Sequence, residues 1–165
     1  MALSSYAAAW FLPFVLPVCL YVAWTDLAYM KITNKAVVVL AGIFVVIGPF
    51  VMADLATYGW QLAQLAIVLV IGFVLNAAGA FGAGDAKFAA AAAPYVALSD
   101  SGFIVMLLAV MLLAAFVAHR IARASPLRRL APGWESWDKG KKFPMGLALG
   151  PTLALYLCLA ALNGA

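Results

Sequence analysis

The chain has 165 residues, 68% of them hydrophobic, and a formal net charge of +4. Its mean hydropathy is +1.09, and a soluble globular domain is only roughly 45–50% apolar. A water-soluble fold is therefore excluded, the lipid bilayer becomes the principal surroundings, and no nucleic-acid partner is expected.

Six apolar segments approach the roughly 17–25 residues that a helix needs to cross the hydrocarbon core. They run over approximately 7–25, 36–53, 60–79, 83–99, 102–119 and 144–162. None shows the period-2 alternation of a membrane barrel, so the backbone must satisfy its own hydrogen bonds as helix. The predicted fold class is an all-α integral membrane protein, a bundle of about six transmembrane helices forming one domain over residues 1–165. The first segment is read as a retained helix and not a signal peptide. Neither Lys nor Arg precedes it, and it ends in Thr25-Asp26, not in a small-residue cleavage site.

Between these segments the ten basic residues fall only at alternate connections. Lys31 and Lys35 follow the first segment, and Lys87 lies by the join of the third and fourth. Arg120, Arg123, Arg128, Arg129, Lys139, Lys141 and Lys142 follow the fifth. The other connections carry only Asp54 and Asp100. By the positive-inside rule the basic connections are cytoplasmic and both termini lie on the outer side. The longest polar stretch, residues 120–143, is broken by Pro126, Pro132 and Gly133 and is expected to be a loop. Its Trp134 and Trp137, set among charges, fit an anchor in the headgroup layer or, alternatively, a lid or substrate-binding surface. Neither a solenoid repeat nor a transporter-like inverted repeat is visible.

Cys19 and Cys158 fall inside apolar segments and read as inert buried thiols. There is no CxxC pair and no Cys/His cluster with metal spacing, so neither a metal nor a cofactor is expected. His119, where the fifth segment meets the polar loop, reads as an interfacial residue and not as a base or ligand.

Of the six acids, Asp54, Asp100, Glu135 and Asp138 lie in connections open to water. Asp85 differs. A helix starting only after Lys87 would be too short to cross before Asp100, so the fourth helix is expected to start near Ala83, with Asp85 on its first turn. Asp26 stands at the matching depth at the end of the first. Ionisable groups at such positions are costly and mark candidate functional sites. Two carboxylates at one face can hydrolyse a peptide, one as base on water and the other, protonated, as donor. The alternative is that Asp26 merely ends a helix in the headgroups. Gly79, Gly82 and Gly84 remove side chains around Asp85, either so that a substrate strand can approach or for helix packing. The helix dipole favours a proton on Asp26 and charge on Asp85, with Lys87 close enough to add to that bias or else turned into the headgroups.

The run Gly82-Ala83-Gly84-Asp85-Ala86-Lys87 matches the GxGDxK signature of the prepilin peptidases, the GxGD membrane aspartyl proteases that trim leader peptides from type IV pilin precursors. Asp26 followed by Lys31, Ile32, Thr33 and Asn34 resembles the family's first catalytic aspartate with its basic stretch and Ile-Pro-Asn element, and Pro144, Gly146 and Gly150 resemble its last-helix pattern. The resemblance implies that Asp26 and Asp85 are catalytic, and that Gly82, Gly84 and Lys87 serve substrate approach or tuning of the pair. It also implies prepilin or pseudopilin precursors as partners, and cleavage at the cytoplasmic face of the inner membrane. Thr33 stands where the family usually has proline. Only about ten residues separate the first two segments, leaving no room for the cysteine-bearing insertion of the larger methylating enzymes. The resemblance is therefore to the small, methylase-free branch serving Tad/Flp-type pili. A preflagellin or general type IV prepilin peptidase is the alternative within the enzymes. A small ion or proton transporter and a non-catalytic pilus assembly factor are the alternatives outside them.

Overall fold

The first three helices begin where a hydroxyl or carboxylate stands ahead of an apolar run. The computed structural model describes residues 1–140 and 142–164, which leaves Lys141 of the basic loop outside. In it α1 spans Ser5–Tyr29, α2 Asn34–Val51 and α3 Leu55–Ala77. Their N-caps Ser4, Thr33 and Asp54 accept from the N–H groups of Ala7, Ala36 and Thr57 at 3.2, 3.3 and 2.8 Å, each cap contributing about 1 kcal/mol. Thr33 thus starts α2 with a side-chain acceptor where a proline would have started it with a fixed φ. Helix α1 closes on Met30 in the left-handed region (φ 49°, ψ 41°), and the Met30 N–H donates to the Asp26 carbonyl at 2.9 Å. The connection to α2 is only residues 30–33.

The fourth apolar segment departs from expectation. Its helix, α4, does begin at Ala83, but it ends at Ala92, and 3-10 turns at Ala93–Tyr95 and Leu98–Asp100 follow it. Pro94 is the cause, because it offers no N–H and its ring clashes with the preceding turn. Irregular backbone at membrane depth is tolerated only where protein surrounds it. Here Pro94, Tyr95 and Val96 are buried. The Tyr95 hydroxyl donates to the Leu40 carbonyl at 2.7 Å, and the Ala97 N–H donates to the Tyr156 hydroxyl at 3.3 Å. The described residues thus form six α-helices, five of them long and apolar enough to cross a membrane: α1, α2, α3, α5 (Ser101–Ala124) and α6 (Gly146–Asn163). No strand occurs among the described residues, and the chain reads as a multi-pass, all-helical membrane protein.

Helix α6 is the most enclosed element and runs antiparallel along α1. Two glycines one turn apart let the backbones close up: a Cβ on Gly150 would lie 2.5 Å from the Cys19 carbonyl oxygen, and one on Gly146 would lie 2.9 Å from the Asp26 Cβ. Between helices in lipid, where apolar burial gives little drive, such close packing is a main source of association. The Phe11, Phe44 and Tyr95 rings, with centroids 4.9–5.5 Å apart, join α1, α2 and the 3-10 turn after α4. Helices α3 and α5 leave most of their apolar surface outward, Phe73 and Leu113 among it, as lipid-facing helices do.

The two ends of the bundle differ in charge. At one end Asp100 Oδ2 accepts from the Ala2 N–H and from the Tyr156 hydroxyl, both at 2.9 Å. The start of α1 and the end of α2 meet there too, around Tyr6 and Phe50. At the other end Lys31, Lys87 and Lys142 gather around Asp26 and Asp85.

Candidate active site

Asp26 lies on the last turn of α1 and is 6% exposed. Its Oδ2 accepts from the N–H of Gly146, the first residue of α6, at 2.6 Å. That amide is free to donate because the first turn of a helix has no intrahelical acceptor for it. The α1–α6 packing therefore positions one catalytic candidate directly. The position needs glycine: a Cβ there would meet the Asp26 Oδ2 at 3.0 Å as well as its Cβ.

Asp85 is the third residue of α4 and is partly buried. Gly82 is the N-cap and supplies no side-chain acceptor, and the Asp85 carboxylate turns back over it so closely that a Cβ on Gly82 would collide with Oδ2. A carboxylate in that place faces the free N–H groups and positive end of its own helix. Gly84 serves a different contact, since its Cβ would stand 3.3 Å from the Ile32 Cβ. The space that Gly82 and Gly84 leave is thus taken by the chain's own Asp85 and Ile32. Gly79, at φ +73°, makes the turn into α4 and has open space where a Cβ would be.

Asp26 and Asp85 line one cavity of about 540 Å³. Met30, Lys31, Ile32 and Asn34 supply one wall, the start of α4 a second, and Lys142, Phe143 and Met145 a third. Lys87 also borders it, but its ammonium donates to Asn34 Oδ1 at 3.1 Å. The ion pairs among the described residues, Arg128–Asp138 and Lys139–Glu135, lie in the loop. Lys87 therefore ties the first turn of α4 to the first turn of α2.

The third wall comes from the loop that the sequence left open between anchor and lid. Trp137 is buried, stacks on His119 at 5.1 Å between centroids and donates from Nε1 to the Ala131 carbonyl at 2.8 Å. Phe143 meets the same imidazole edge-on at 6.0 Å. Arg120 and Arg123 both donate to the Gly140 carbonyl, at 3.4 and 3.0 Å. These contacts fold the loop back so that its end reaches the cavity. His119 is packed beneath it and does not border the cavity. Sequence reasoning missed the Gly146 N–H and the walls made by Met30 and Met145, and reached Lys142 and Phe143 only through the alternative of a lid over residues 120–143. For the Gly146 amide the spacing of Pro144, Gly146 and Gly150 was the signal at hand, and it marked a pattern without a role.

Two carboxylates around a space that admits water, one held by a backbone donor and the other on a helix's first turn, have the parts for general acid–base hydrolysis. A family model for the type IV leader peptidase family matches residues 13–119, a stretch that holds Asp26, Asp85 and the glycines around it and stops short of α6. Comparison with curated proteins and with solved structures gave no match.

Proposed function

The chain belongs to the type IV leader peptidase family, and on that premise we propose that it is an aspartyl endopeptidase that removes the leader from prepilin precursors at the cytoplasmic face of the inner membrane. The observation that carries this reading is that Asp26 and Asp85, from different helices, border a single cavity at the basic end of the bundle. The positive-inside rule makes that end cytoplasmic, where a precursor with a soluble leader and an apolar segment in the bilayer exposes the bond between them.

In the mechanism we favour, the pair shares one proton, since two adjacent carboxylates do not both ionise cheaply. Asp85, at the positive end of α4, is the base and takes a proton from water as the water oxygen adds to the scissile carbonyl carbon. Asp26 is the acid and gives its proton to the carbonyl oxygen. Collapse of the tetrahedral intermediate breaks the C–N bond as Asp85 gives its proton to the leaving amine nitrogen and a hydroxyl of the intermediate returns its proton to Asp26, which restores the starting state. Because Asp26 Oδ2 accepts an N–H bond, the proton of Asp26 resides on Oδ1. Gly82, Gly84 and Lys87 act by shaping the pair's surroundings. The α1–α2 connection of residues 30–33 leaves no space there for a methylating insertion, which favours a peptidase without methylase activity, as in the branch serving Tad/Flp-type pili.

Processing of a small prepilin in cells or vesicles tests the proposal. Asp26→Asn and Asp85→Asn each keep shape and remove the titratable group, so each is expected to abolish cleavage while the protein stays inserted. Asp54→Asn and Asp100→Asn, at the far end, should cleave normally, because asparagine caps a helix as well as aspartate does and still offers an acceptor at position 100. Cleavage surviving in either of the first two variants removes that residue from the pair.

A further inference from the structure

Met30 is the one residue other than glycine with a positive φ among the described residues, at φ 49° and ψ 41°. A bulky side chain is strained there, and the place just past a helix ordinarily goes to glycine or asparagine. The chain follows that rule elsewhere: its other two left-handed positions, at φ 73° and 61°, are Gly79 and Gly140. Backbone conformation alone would put glycine at position 30 as well, so the methionine is there for its side chain. Core packing does not account for it. Met30 is half-buried and stands outside the apolar core cluster and the side chains packed on it, whereas Met145 is among them. What Met30 does border is the cavity of Asp26 and Asp85.

Resting on the peptidase reading above, we propose that Met30 is a specificity-determining residue: with Phe143 and Met145 it forms an apolar pocket beside Asp26 that takes the side chain next to the scissile bond. Two links place the pocket at Asp26. The Met30 N–H donates to the Asp26 carbonyl at 2.9 Å, and Met145 immediately precedes Gly146, whose N–H holds the Asp26 carboxylate. Phe143 borders the same cavity and is set by its edge-on contact with His119. Two thioethers and an aromatic ring offer a polar group almost nothing to pair with, and methionine, unbranched and flexible, adapts to varied apolar shapes. The substrate class that follows is a precursor with an apolar side chain beside the scissile bond, with Leu, Met and Phe accepted alike and polar side chains disfavoured.

The test uses the full chain in vesicles of phosphatidylethanolamine and phosphatidylglycerol, with a prepilin precursor that the unaltered chain cleaves. Versions of that precursor carry Leu, Met, Phe or Ser at each of the two positions flanking the scissile bond. At one of these positions the three apolar versions are expected to have KM within about threefold of one another, and the Ser version about tenfold higher. Met30→Gly and Met30→Asn, both at ease in the left-handed region, should raise KM for the apolar versions about tenfold while kcat and the Ser version change little. Their thermal midpoint in detergent should be no lower than that of the unaltered chain, because backbone strain is relieved. Met30→Leu, which keeps an apolar side chain, should hold KM within about threefold. An unchanged KM in Met30→Gly, an equal rise for apolar and Ser versions, or a thermal midpoint lowered in step with activity would each overturn the pocket while leaving the peptidase reading intact. Failure of the unaltered chain to cleave any prepilin would instead overturn that reading, and this inference with it.

Discussion

The Gly146 N–H donates to Asp26 Oδ2 at 2.6 Å, a bond between residues 120 positions apart that links the last helix of the bundle to the first. It fixes which oxygen of Asp26 is free. In the proposed mechanism the proton of Asp26 is carried on Oδ1, the oxygen that this amide leaves free. The same bond explains why α6, which lies beyond the stretch matched by the family model, belongs to the site.

Gly146→Ala is the direct check on this relationship. The new Cβ would stand 2.9 Å from the Asp26 Cβ and 3.0 Å from Oδ2, both too short, and two packed helices have little freedom to yield. A shift of the carboxylate by about 1 Å is expected to lower kcat about 10²-fold, with KM and the amount of inserted protein little changed. A variant with normal kcat would show that the Gly146 contact does not position Asp26.

The glycines around Asp85 should separate by mechanism. Gly82→Ala pushes on the Asp85 carboxylate itself and is expected to cost activity on the scale of Gly146→Ala. Gly84→Ala meets only the Ile32 side chain at 3.3 Å, which a small adjustment relieves, so a loss of a few-fold is expected. Gly79→Ala meets nothing but forces a positive φ of 73° on alanine. It should cost about 1 kcal/mol of stability, seen in thermal unfolding in detergent, at an unchanged rate per folded molecule. Equal losses in all three would point to a shared need for flexibility in place of these separate contacts.

How much of this was legible in sequence depended on whether the signal was local. The long apolar runs and the start of α4 at Ala83 follow from neighbouring residues, and the structure has them. The early end of α4 is also local, since Pro94 lies within residues 83–99, but the hydropathy of that stretch alone predicts an unbroken helix. What supports the broken backbone there is distant, Tyr95 on Leu40 and Ala97 on Tyr156, and no pattern of spacing reveals such partners. The same holds at the site. Both carboxylates stood out as acids at one membrane face, whereas the donor to Asp26 is a backbone amide, and a backbone amide has no letter in the sequence.

Lys87 gives a prediction of a different kind, because its partner in the structure is Asn34 and not Asp85. The bond is exposed, so its contribution is modest, in the range of about 0.5–1.5 kcal/mol for a typical hydrogen bond. Lys87→Met and Asn34→Leu are each expected to lower activity by a few-fold. The double variant should be no worse than either single one, since both remove the same tie between α4 and α2. Additive losses in this cycle would mean that Lys87 acts elsewhere, for example on the charge of Asp85, and the acidic limb of the activity–pH profile of Lys87→Met would then move while that of Asn34→Leu stayed in place.

The arrangement of charge also predicts which way the bundle sits. Lys31 and Lys87 share an end with both aspartates, and Asp100 with the start of the chain makes the other. Single cysteines at Ala53, Ser99, Lys31 and Arg129, in a background with Cys19 and Cys158 replaced, place reporters at exposed positions of the two ends. By the positive-inside rule, a membrane-impermeant maleimide should label positions 53 and 99 when it has access only to the outer face, and positions 31 and 129 only after the membrane is opened. Labelling of 31 and 129 from outside would put Asp26 and Asp85 on the far side of the membrane from a cytoplasmic leader, and the proposed substrate would have to be given up even though the cavity remained. A split result, with 31 on one side and 129 on the other, would contradict the packing of the basic loop against the aspartate end and so the third wall of the cavity itself.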